Sequence, residues 1–160
     1  MTTLTQDRLK SVLDYCPDLG LFWFKPRPGN QRFNTRYAGE LAGSLNNGYV
    51  HVQVDGRRYK AHRLAWLWMT GKMPEGELDH ANRYRMDNAF ANLREATGSQ
   101  NLANRAARSR SGKKGVYLLP SGRYSAHFRR EYLGSFDTAD EASDAYMARA
   151  KSYWGPFAQR

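Results

Sequence analysis

The sequence predicts an α+β protein, and three features of its pattern support this prediction. Residues 49–60 alternate polar and apolar side chains around Asp55-Gly56, a pair typical of a tight hairpin turn. Residues 62–70 are apolar on all sides and are followed by Gly71, which indicates a buried helix. The last third of the chain contains three short strand patterns followed by one amphipathic helix.

Before the hairpin, the pattern predicts a helix, a strand and a long loop. Apolar residues recur at helical spacing within Leu4–Tyr15, and Pro17 then acts as a helix stop. The run LFWF at 21–24 is typical of a buried strand. Residues 25–47 are rich in Pro, Gly, Asn and Arg, so we expect mostly loop there.

After the buried helix, Leu78–His80 predicts a short extended segment, and Asn88–Thr97 predicts a helix or a helical turn. Residues 98–114 combine small, polar and basic side chains and indicate a linker. Three strands are expected beyond it, at Val116–Leu119, Tyr124–Arg129 and Tyr132–Phe136. Asp137 or Thr138 then caps the final helix.

Composition excludes several classes of protein. No apolar run approaches the roughly 20 residues that a membrane span needs, and the N-terminal residues lack the apolar core of a signal peptide. Cys16 is the single cysteine, which excludes an internal disulfide and argues against zinc. We therefore expect a soluble cytosolic protein that is neither secreted nor bound to a membrane.

Charge gives the first indication of a partner. The chain has 25 Lys and Arg against 15 Asp and Glu, a formal net charge of +10. Residues 98–130 hold basic side chains interleaved with tyrosines and contain no acidic residue. Such a segment suits a nucleic-acid backbone, although a solvated charged surface is the plainer alternative.

A second indication is the adjacent pair Asp79-His80, which Asn92 and Asn101 follow. Neighbouring residues at a strand end point to opposite sides, so one side chain can hold a metal while the other addresses water. Asp79 with an amide oxygen of Asn101 would form a sparse oxygen set for Mg²⁺, and His80 has a suitable intrinsic pKa for a base. Taken alone these spacings are weak, because a lone histidine is more often a packing residue.

Residues 61–105 resemble the HNH homing endonucleases of phages and mobile introns, in the variant whose final histidine is asparagine. The matching pieces are His62-Arg63, Pro74-Glu75-Gly76, Leu78-Asp79-His80, Asp87-Asn88, Asn92-Leu93-Arg94, Thr97 and Gln100-Asn101. The preceding stretch, with Gly20-Leu-Phe, Ala42-Gly-Ser, Gly48-Tyr and Asp55-Gly56-Arg57, is similar to the N-terminal β-rich extension of those proteins.

This resemblance implies a ββα-metal nuclease core that uses Mg²⁺ or Mn²⁺, with no zinc expected. It implies His80 as general base, Asp79 and Asn101 as metal ligands, and Asn92 as the residue that braces the motif and orients the histidine. Residues 82–85 lie where relatives commonly have Asp or Gly in a tight turn. This difference affects the expected geometry of the turn more than the expected chemistry of the site. For His62 we favour a structural role, capping or packing the buried helix, over a place near the metal.

Residues 115–157 resemble the ethylene-response-factor type of DNA-binding domain, which implies a three-stranded sheet laid in the DNA major groove. The resemblance rests on Gly115-Val116-Tyr117, Gly122-Arg123-Tyr124, Ala126, Leu133–Thr138, Glu141-Ala142, Ala145-Tyr146 and Gly155. Tyr124 replaces the tryptophan usual in that motif. The DNA contacts expected on the sheet are Tyr117, Arg123, Tyr124, His127, Arg129 and Tyr132. The contacts expected from the flexible linker to phosphates are Arg108, Arg110, Lys113 and Lys114. Arg105, directly before the linker, is also expected to contact DNA.

The sequence thus predicts a nuclease domain over 1–105, a basic linker over 106–114 and a DNA-binding domain over 115–160. The function that follows is metal-dependent hydrolysis of double-stranded DNA by a homing-type or nicking endonuclease, acting as a monomer or a transient dimer. Two alternatives stay open at this point. One is a DNA-binding regulator with a weak or inactive nuclease core, and the other is an RNA-binding or RNA-processing protein.

Overall fold

A computed structural model describes residues 3–107, 109 and 111–160, so Arg108 and Arg110 lie outside the described residues. The chain divides into two compact units, Met1–Ala96 and Thr97–Arg160. Both units mix helices with antiparallel strands, so the α+β prediction is confirmed. Residues 97–105, expected with the nuclease domain, group with the second unit. No helix in the described ranges is long and apolar enough to cross a membrane.

The first unit begins with helix α1 (Gln6–Val12), which Thr5 caps by accepting a hydrogen bond from the Arg8 N–H. The helix predicted up to Tyr15 is too long, because the chain passes directly into strand β1 (Leu13–Cys16). This strand pairs with β2 (Leu21–Phe24), the strand predicted from LFWF. Hydrogen bonding to β2 and the alternating burial of β1 side chains therefore outweigh the helical spacing of apolar residues in this part of the sequence.

The stretch expected to be mostly loop contains two short elements. Helix α2 (Gln31–Tyr37) begins after Asn30, whose side chain accepts a hydrogen bond from the Phe33 N–H. The Phe33 and Tyr37 rings pack on each other 5.2 Å apart and thereby hold one side of this helix. Strand β3 (Ser44–Asn46) follows.

The predicted hairpin is confirmed as β4 (Tyr49–Val54) and β5 (Arg57–Lys60), which form a sheet in the order β3-β4-β5. Asp55 and Gly56 both take positive φ angles, 50° and 76°, as a type I′ turn requires. The predicted buried helix is α3 (Ala61–Thr70), and it ends at Gly71 in the left-handed conformation. These elements enclose the core of the unit, whose largest fully buried apolar side chains are Leu9, Leu13, Val52, Val54, Leu64 and Leu67.

A two-stranded pair, β6 (Glu77–His80) and β7 (Leu93–Ala96), completes the first unit. The expected extended segment at 78–80 is confirmed as part of β6. The helix or helical turn expected over residues 88–97 is only a short 3₁₀ turn, Phe90–Asn92, followed by β7. The hydrogen-bonded register with β6 and the burial of Leu93 determine this outcome.

The second unit begins with helix α4 (Gly98–Asn104), which lies where a linker was expected. Thr97 and Gln100 cap it reciprocally, each side chain bonding to the backbone N–H of the other residue. Ser111 donates to the Val116 carbonyl at 2.8 Å, which ties Ser111 to the strand that follows.

The three C-terminal strands are confirmed as β8 (Val116–Leu118), β9 (Tyr124–Phe128) and β10 (Glu131–Phe136), in the order β10-β9-β8. Helix α5 (Ala139–Trp154) follows, with Thr138 as its cap. The helix packs on one side of the sheet around a core that includes Val116, Ala126, Phe128, Ala142, Met147 and Ala150.

Candidate active site and nucleic-acid interface

The end of β6 carries the two residues that the sequence analysis selected for chemistry. Asp79 and His80 are both buried, with 4% and 5% of their surface exposed. Asp79 lies opposite Arg94 in the strand register, and its Oδ2 accepts hydrogen bonds from Arg94 Nε at 2.9 Å and Nη2 at 2.8 Å. The short strand pair therefore fixes Asp79 by a charge-assisted contact at the base of the site.

His80 lies among rings contributed by other elements of the first unit. Its ring centroid is 5.0 Å from that of His62, with the planes perpendicular, and 6.2 Å from that of Tyr49. Burial lowers the pKa of His80, while the neighbouring Asn88 side chain and the carboxylates of Asp79 and Asp87 oppose this shift. His80 is therefore neutral near pH 7, the form that a proton acceptor needs.

The loop between β6 and β7 is braced by Asn92. Its Oδ1 accepts a hydrogen bond from the Asn82 N–H at 2.9 Å, and its Nδ2 donates to the Asp87 carbonyl at 2.9 Å. The main-chain carbonyl of Asn92 accepts from the Ala81 N–H. The two side-chain bonds and the main-chain bond tie the start and the middle of the loop to Asn92 at its end.

The segment 82–85 still forms a closed turn although it lacks the usual Asp or Gly. Arg83 adopts a left-handed conformation, with φ of 64°, and its N–H donates to the His80 carbonyl. The Asn82 side chain donates to Asp87 Oδ2 at 2.6 Å and accepts from the Tyr84 N–H. The side-chain hydrogen bonds of Asn82 thus stabilise the turn in the absence of the usual Asp or Gly.

The loop also rests on the β1–β2 hairpin. The Tyr15 hydroxyl donates to the Asn88 carbonyl at 2.7 Å, and the Phe90 N–H donates to the Pro17 carbonyl at 2.8 Å. Gly20 approaches so closely that a Cβ there would lie 2.2 Å from the Ala89 nitrogen. Desolvation of the Tyr15 hydroxyl raises its pKa. The N-terminal extension therefore supports the loop that follows His80.

Tyr49, whose ring contacts that of His80, was not anticipated as a neighbour from the sequence. Two cations lie near its ring, with Lys60 Nζ 4.4 Å and the Arg85 guanidinium carbon 5.1 Å from its centroid. Tyr49 also contacts His62, at 5.5 Å between centroids. Alternation in β4 places Tyr49 on the polar side of the hairpin, but these neighbours come from β5, α3, β6 and the loop after β6.

The two residues predicted as metal ligands are Asp79 and Asn101. Among the described residues there is no group of three or more His, Cys, Asp or Glu side chains able to hold a metal. Mg²⁺ is commonly held by few protein oxygens and retains water. Asp79 provides one carboxylate in the first unit, and Asn101 lies in α4 of the second unit, where its N–H donates to the Thr97 carbonyl.

One side of the C-terminal sheet presents a row of rings, one from each strand. The centroids of Tyr117 and His127 are 5.7 Å apart, and those of His127 and Tyr132 are 5.2 Å apart. Tyr117 and Tyr132 are more than half exposed, at 56% and 59%. This row lies on the side of the sheet opposite Ala126 and Phe128, which face α5.

Three residues expected on that surface lie outside the row of rings. Tyr124 shares the strand side of Ala126 and packs with the internal cluster under α5. Arg129 belongs to the turn after β9, with φ of 58°, and donates to the Tyr153 hydroxyl at 2.6 Å. Arg123 precedes β9 and binds the Ser135 carbonyl and the Asp137 carboxylate, both at 3.0 Å.

Lys113 and Lys114, at the end of the basic segment before β8, make contacts within the second unit. Lys113 pairs with Asp140 at 2.7 Å. The Lys114 ammonium donates to the main-chain carbonyls of Ala103 and Gln159. Arg105, the residue that ends α4, is exposed. Fixed contacts therefore constrain Lys113 and Lys114, contrary to the linker expectation.

Comparison with known proteins relates part of the first site to a known family. Residues 59–103 match the family profile described as HNH endonuclease, and this range contains α3, β6, β7 and most of α4. The segment that carries Asp79 and His80 is therefore similar to HNH endonucleases. The matched range crosses the boundary between the two compact units.

Two curated proteins are similar to this chain. An uncharacterized HNH endonuclease of Acanthamoeba polyphaga mimivirus is 30% identical over 118 residues, which cover 70% of this chain and 62% of that protein. An ethylene-responsive transcription factor of Arabidopsis thaliana is 33% identical over 70 residues, covering 40% of this chain and 21% of that protein. The chain thus spans less than two thirds of either relative. No solved structure matches it at a significant level.

Proposed function

We propose that this protein is a metal-dependent endonuclease that hydrolyses phosphodiester bonds in double-stranded DNA. The observation that supports this most is the placement of His80. It is a neutral, buried imidazole at a strand end, directly after Asp79, within the segment that matches the HNH endonuclease family. A site of this kind is suited to deprotonating water beside a phosphate.

In the proposed reaction, His80 accepts the proton of the attacking water, so the pKa that burial lowers keeps it ready at neutral pH. Asn92 holds the ends of the following loop together and thereby orients His80. Asp79 is the proposed ligand for Mg²⁺ or Mn²⁺ in the first unit, and Asn101 is the second proposed ligand. The bound cation would supply electrostatic stabilisation of the phosphate.

DNA is the proposed partner of the second unit. The row Tyr117–His127–Tyr132 offers exposed rings and polar atoms on a sheet surface, the kind of surface that can enter a major groove. Arg105, Arg108, Arg110, Lys113 and Lys114 would contact phosphates. The resemblance to ethylene-response-factor domains and the similarity to the Arabidopsis transcription factor support this assignment.

The proposed reaction product is a nick, because one catalytic histidine per chain cuts one strand. A double-strand break would require a second chain bound transiently at the same site. A homing-type or a nicking enzyme would fit this arrangement equally.

One observation favours a second candidate, a DNA-binding regulator without nuclease activity. Arg94 already neutralises the Asp79 carboxylate by two hydrogen bonds to one oxygen. A site in which this ion pair persisted would bind a divalent cation poorly, since the guanidinium carries like charge.

Incubation of the full chain with supercoiled plasmid separates these functions. Conversion to relaxed circles with Mg²⁺ or Mn²⁺, abolished by EDTA, is the expected result. Retention of plasmid in a gel-shift assay without any cut would favour the regulator. Cleavage or binding of RNA in preference to duplex DNA would contradict both.

A further inference from the structure

His62 is the buried side chain in closest ring contact with the proposed base. It lies in the first turn of α3, has 5% of its surface exposed, and meets the His80 ring edge to face at 5.0 Å. Tyr49, from β4, contacts both rings at 5.5 and 6.2 Å. Three separate elements therefore contribute rings to one cluster, and its members limit how the His80 ring can turn.

The contacts of His62 do not support the role of a helix cap. Helix α3 begins after Lys60 without a side-chain capping bond. The buried Nδ1 of His62 has no hydrogen-bond partner among the described residues. Ring packing, rather than a bond at this nitrogen, therefore fixes the side chain.

The charge state of His62 is consistent with a residue that packs against His80 without exchanging a proton. Burial, together with the smaller effects of the charges of His80, Lys60, Arg63 and His51, lowers its pKa to about 3. His62 stays neutral throughout the physiological range. A neutral ring adds no like charge beside His80 when that residue takes up a proton, whereas a second imidazolium would oppose the transfer.

We propose that His62 is a positioning residue for His80, and that its ring, together with Tyr49, holds the His80 imidazole in the orientation that proton transfer requires. Edge-to-face aromatic contacts prefer defined geometries, so replacing the ring by an aliphatic side chain of similar bulk would leave His80 free to adopt other rotamers. This inference rests on the proposed function, because it assigns His80 as the base.

The test compares His62→Phe, which keeps a ring, with His62→Leu, which does not. We expect His62→Leu to lower the plasmid-nicking kcat by about 10- to 100-fold while KM changes by less than about twofold, since misplacement of a catalytic group affects the chemical step. His62→Phe should stay within about threefold of the wild-type kcat, because it restores the edge-to-face contact.

Leu67→Ala, a fully buried change elsewhere on α3, controls for loss of stability. It should lower Tm at least as much as His62→Leu and leave kcat largely unchanged. The proposal fails if His62→Leu nicks at the wild-type rate, if His62→Phe is as slow as His62→Leu, or if Leu67→Ala slows nicking equally.

NMR spectra of histidine-labelled protein provide a readout independent of cleavage. The His80 ring signals should broaden or shift in His62→Leu and remain sharp in His62→Phe. Unchanged His80 signals in His62→Leu would overturn the proposal. If the wild-type chain does not cleave DNA, the proposed function fails, and the NMR comparison still decides whether His62 positions His80.

Discussion

The Arg94 guanidinium donates two hydrogen bonds to the same carboxylate oxygen of Asp79, across the β6–β7 pair. The Asp79 side chain is 5% exposed and that of Arg94 is 22% exposed, so this contact is largely shielded from water. A buried carboxylate without a compensating cation is costly. The pair therefore holds the Asp79 side chain in place at the end of the strand.

The first prediction concerns the metal ligands. Asp79→Ala and Asn101→Ala should reduce nicking and raise the Mg²⁺ concentration needed for half-maximal rate, whereas Asn101→Asp should be milder because it keeps an oxygen ligand. Glu95→Ala, which removes an exposed carboxylate from β7, is the matched control. Wild-type metal titrations for both alanine variants would show that the ligand assignment is wrong.

The second prediction concerns the base. His80→Ala should reduce nicking by about 10²- to 10⁴-fold, the usual loss for a general base. Its affinity for a DNA duplex should stay near that of the wild type, since the base acts on water. The measurement is single-turnover cleavage alongside a gel-shift titration. A rate within about threefold of the wild type would exclude His80 as the base.

The third prediction concerns the brace. Asn92→Ala leaves the Asn82 N–H and the Asp87 carbonyl without their side-chain partner, which should cost about 1–3 kcal/mol of unfolding free energy. Asn92→Asp keeps the acceptor for Asn82 but loses the donor to Asp87, and should lose less. Urea unfolding and nicking rates should fall in the same order. Equal stability of all three proteins would show that these bonds do not brace the loop.

The fourth prediction concerns pH. Burial lowers the pKa of His62 from its ordinary value of 6.5 to about 3 in the folded protein, so the unfolded chain binds this proton more readily. The associated stability is present above pH 6.5 and is lost as pH falls from 6.5 towards 3. His62→Phe lacks this proton site, so its free energy of unfolding should decline less over that interval. Parallel stability curves for the two proteins would contradict the assignment.

The fifth prediction separates the residues of the second unit. Tyr117→Ala and Tyr132→Ala should weaken DNA binding by about tenfold or more, because both rings are exposed in the row on the sheet. Arg129→Ala should have little effect, because Arg129 binds Tyr153 on α5. A binding selection on randomised sites, with Lys113→Ala as the phosphate-contact control, tests this. If Arg129→Ala were the only variant to lose base preference, Arg129 rather than the row of rings would read the DNA sequence.

Local signals in the sequence predicted the elements that depend on local chemistry. The Asp55-Gly56 turn, the α3 stop at Gly71 and the Thr138 cap all act within a few residues, and the structure confirms each. Strand β7 was not predicted, because its register with β6 involves distant residues. Helix α4 was missed because the capping pair Thr97 and Gln100 outweighs a polar, linker-like composition.

The sequence could identify His80 and Asp79 but not the neighbours that define their environment. The proximity of His62 to His80 depends on how α3 and β6 come together, which no local pattern encodes. The placement of Tyr124 could have been predicted, because side chains two apart in a strand share a side and Ala126 is a core residue. The contact of Arg129 with Tyr153 depends on a left-handed turn residue that the sequence pattern did not indicate.

The support that β1–β2 gives to the loop after His80 has a consequence for chimeric nucleases. A transplant of residues 59–103 alone, the part that matches the HNH family, would lose the Tyr15 and Pro17 contacts to Asn88 and Phe90. It would also lose the close backbone contact between Gly20 and Ala89. The recipient protein would receive Asp79 and His80 beside a loop without its support. A working graft must therefore include the β1–β2 hairpin.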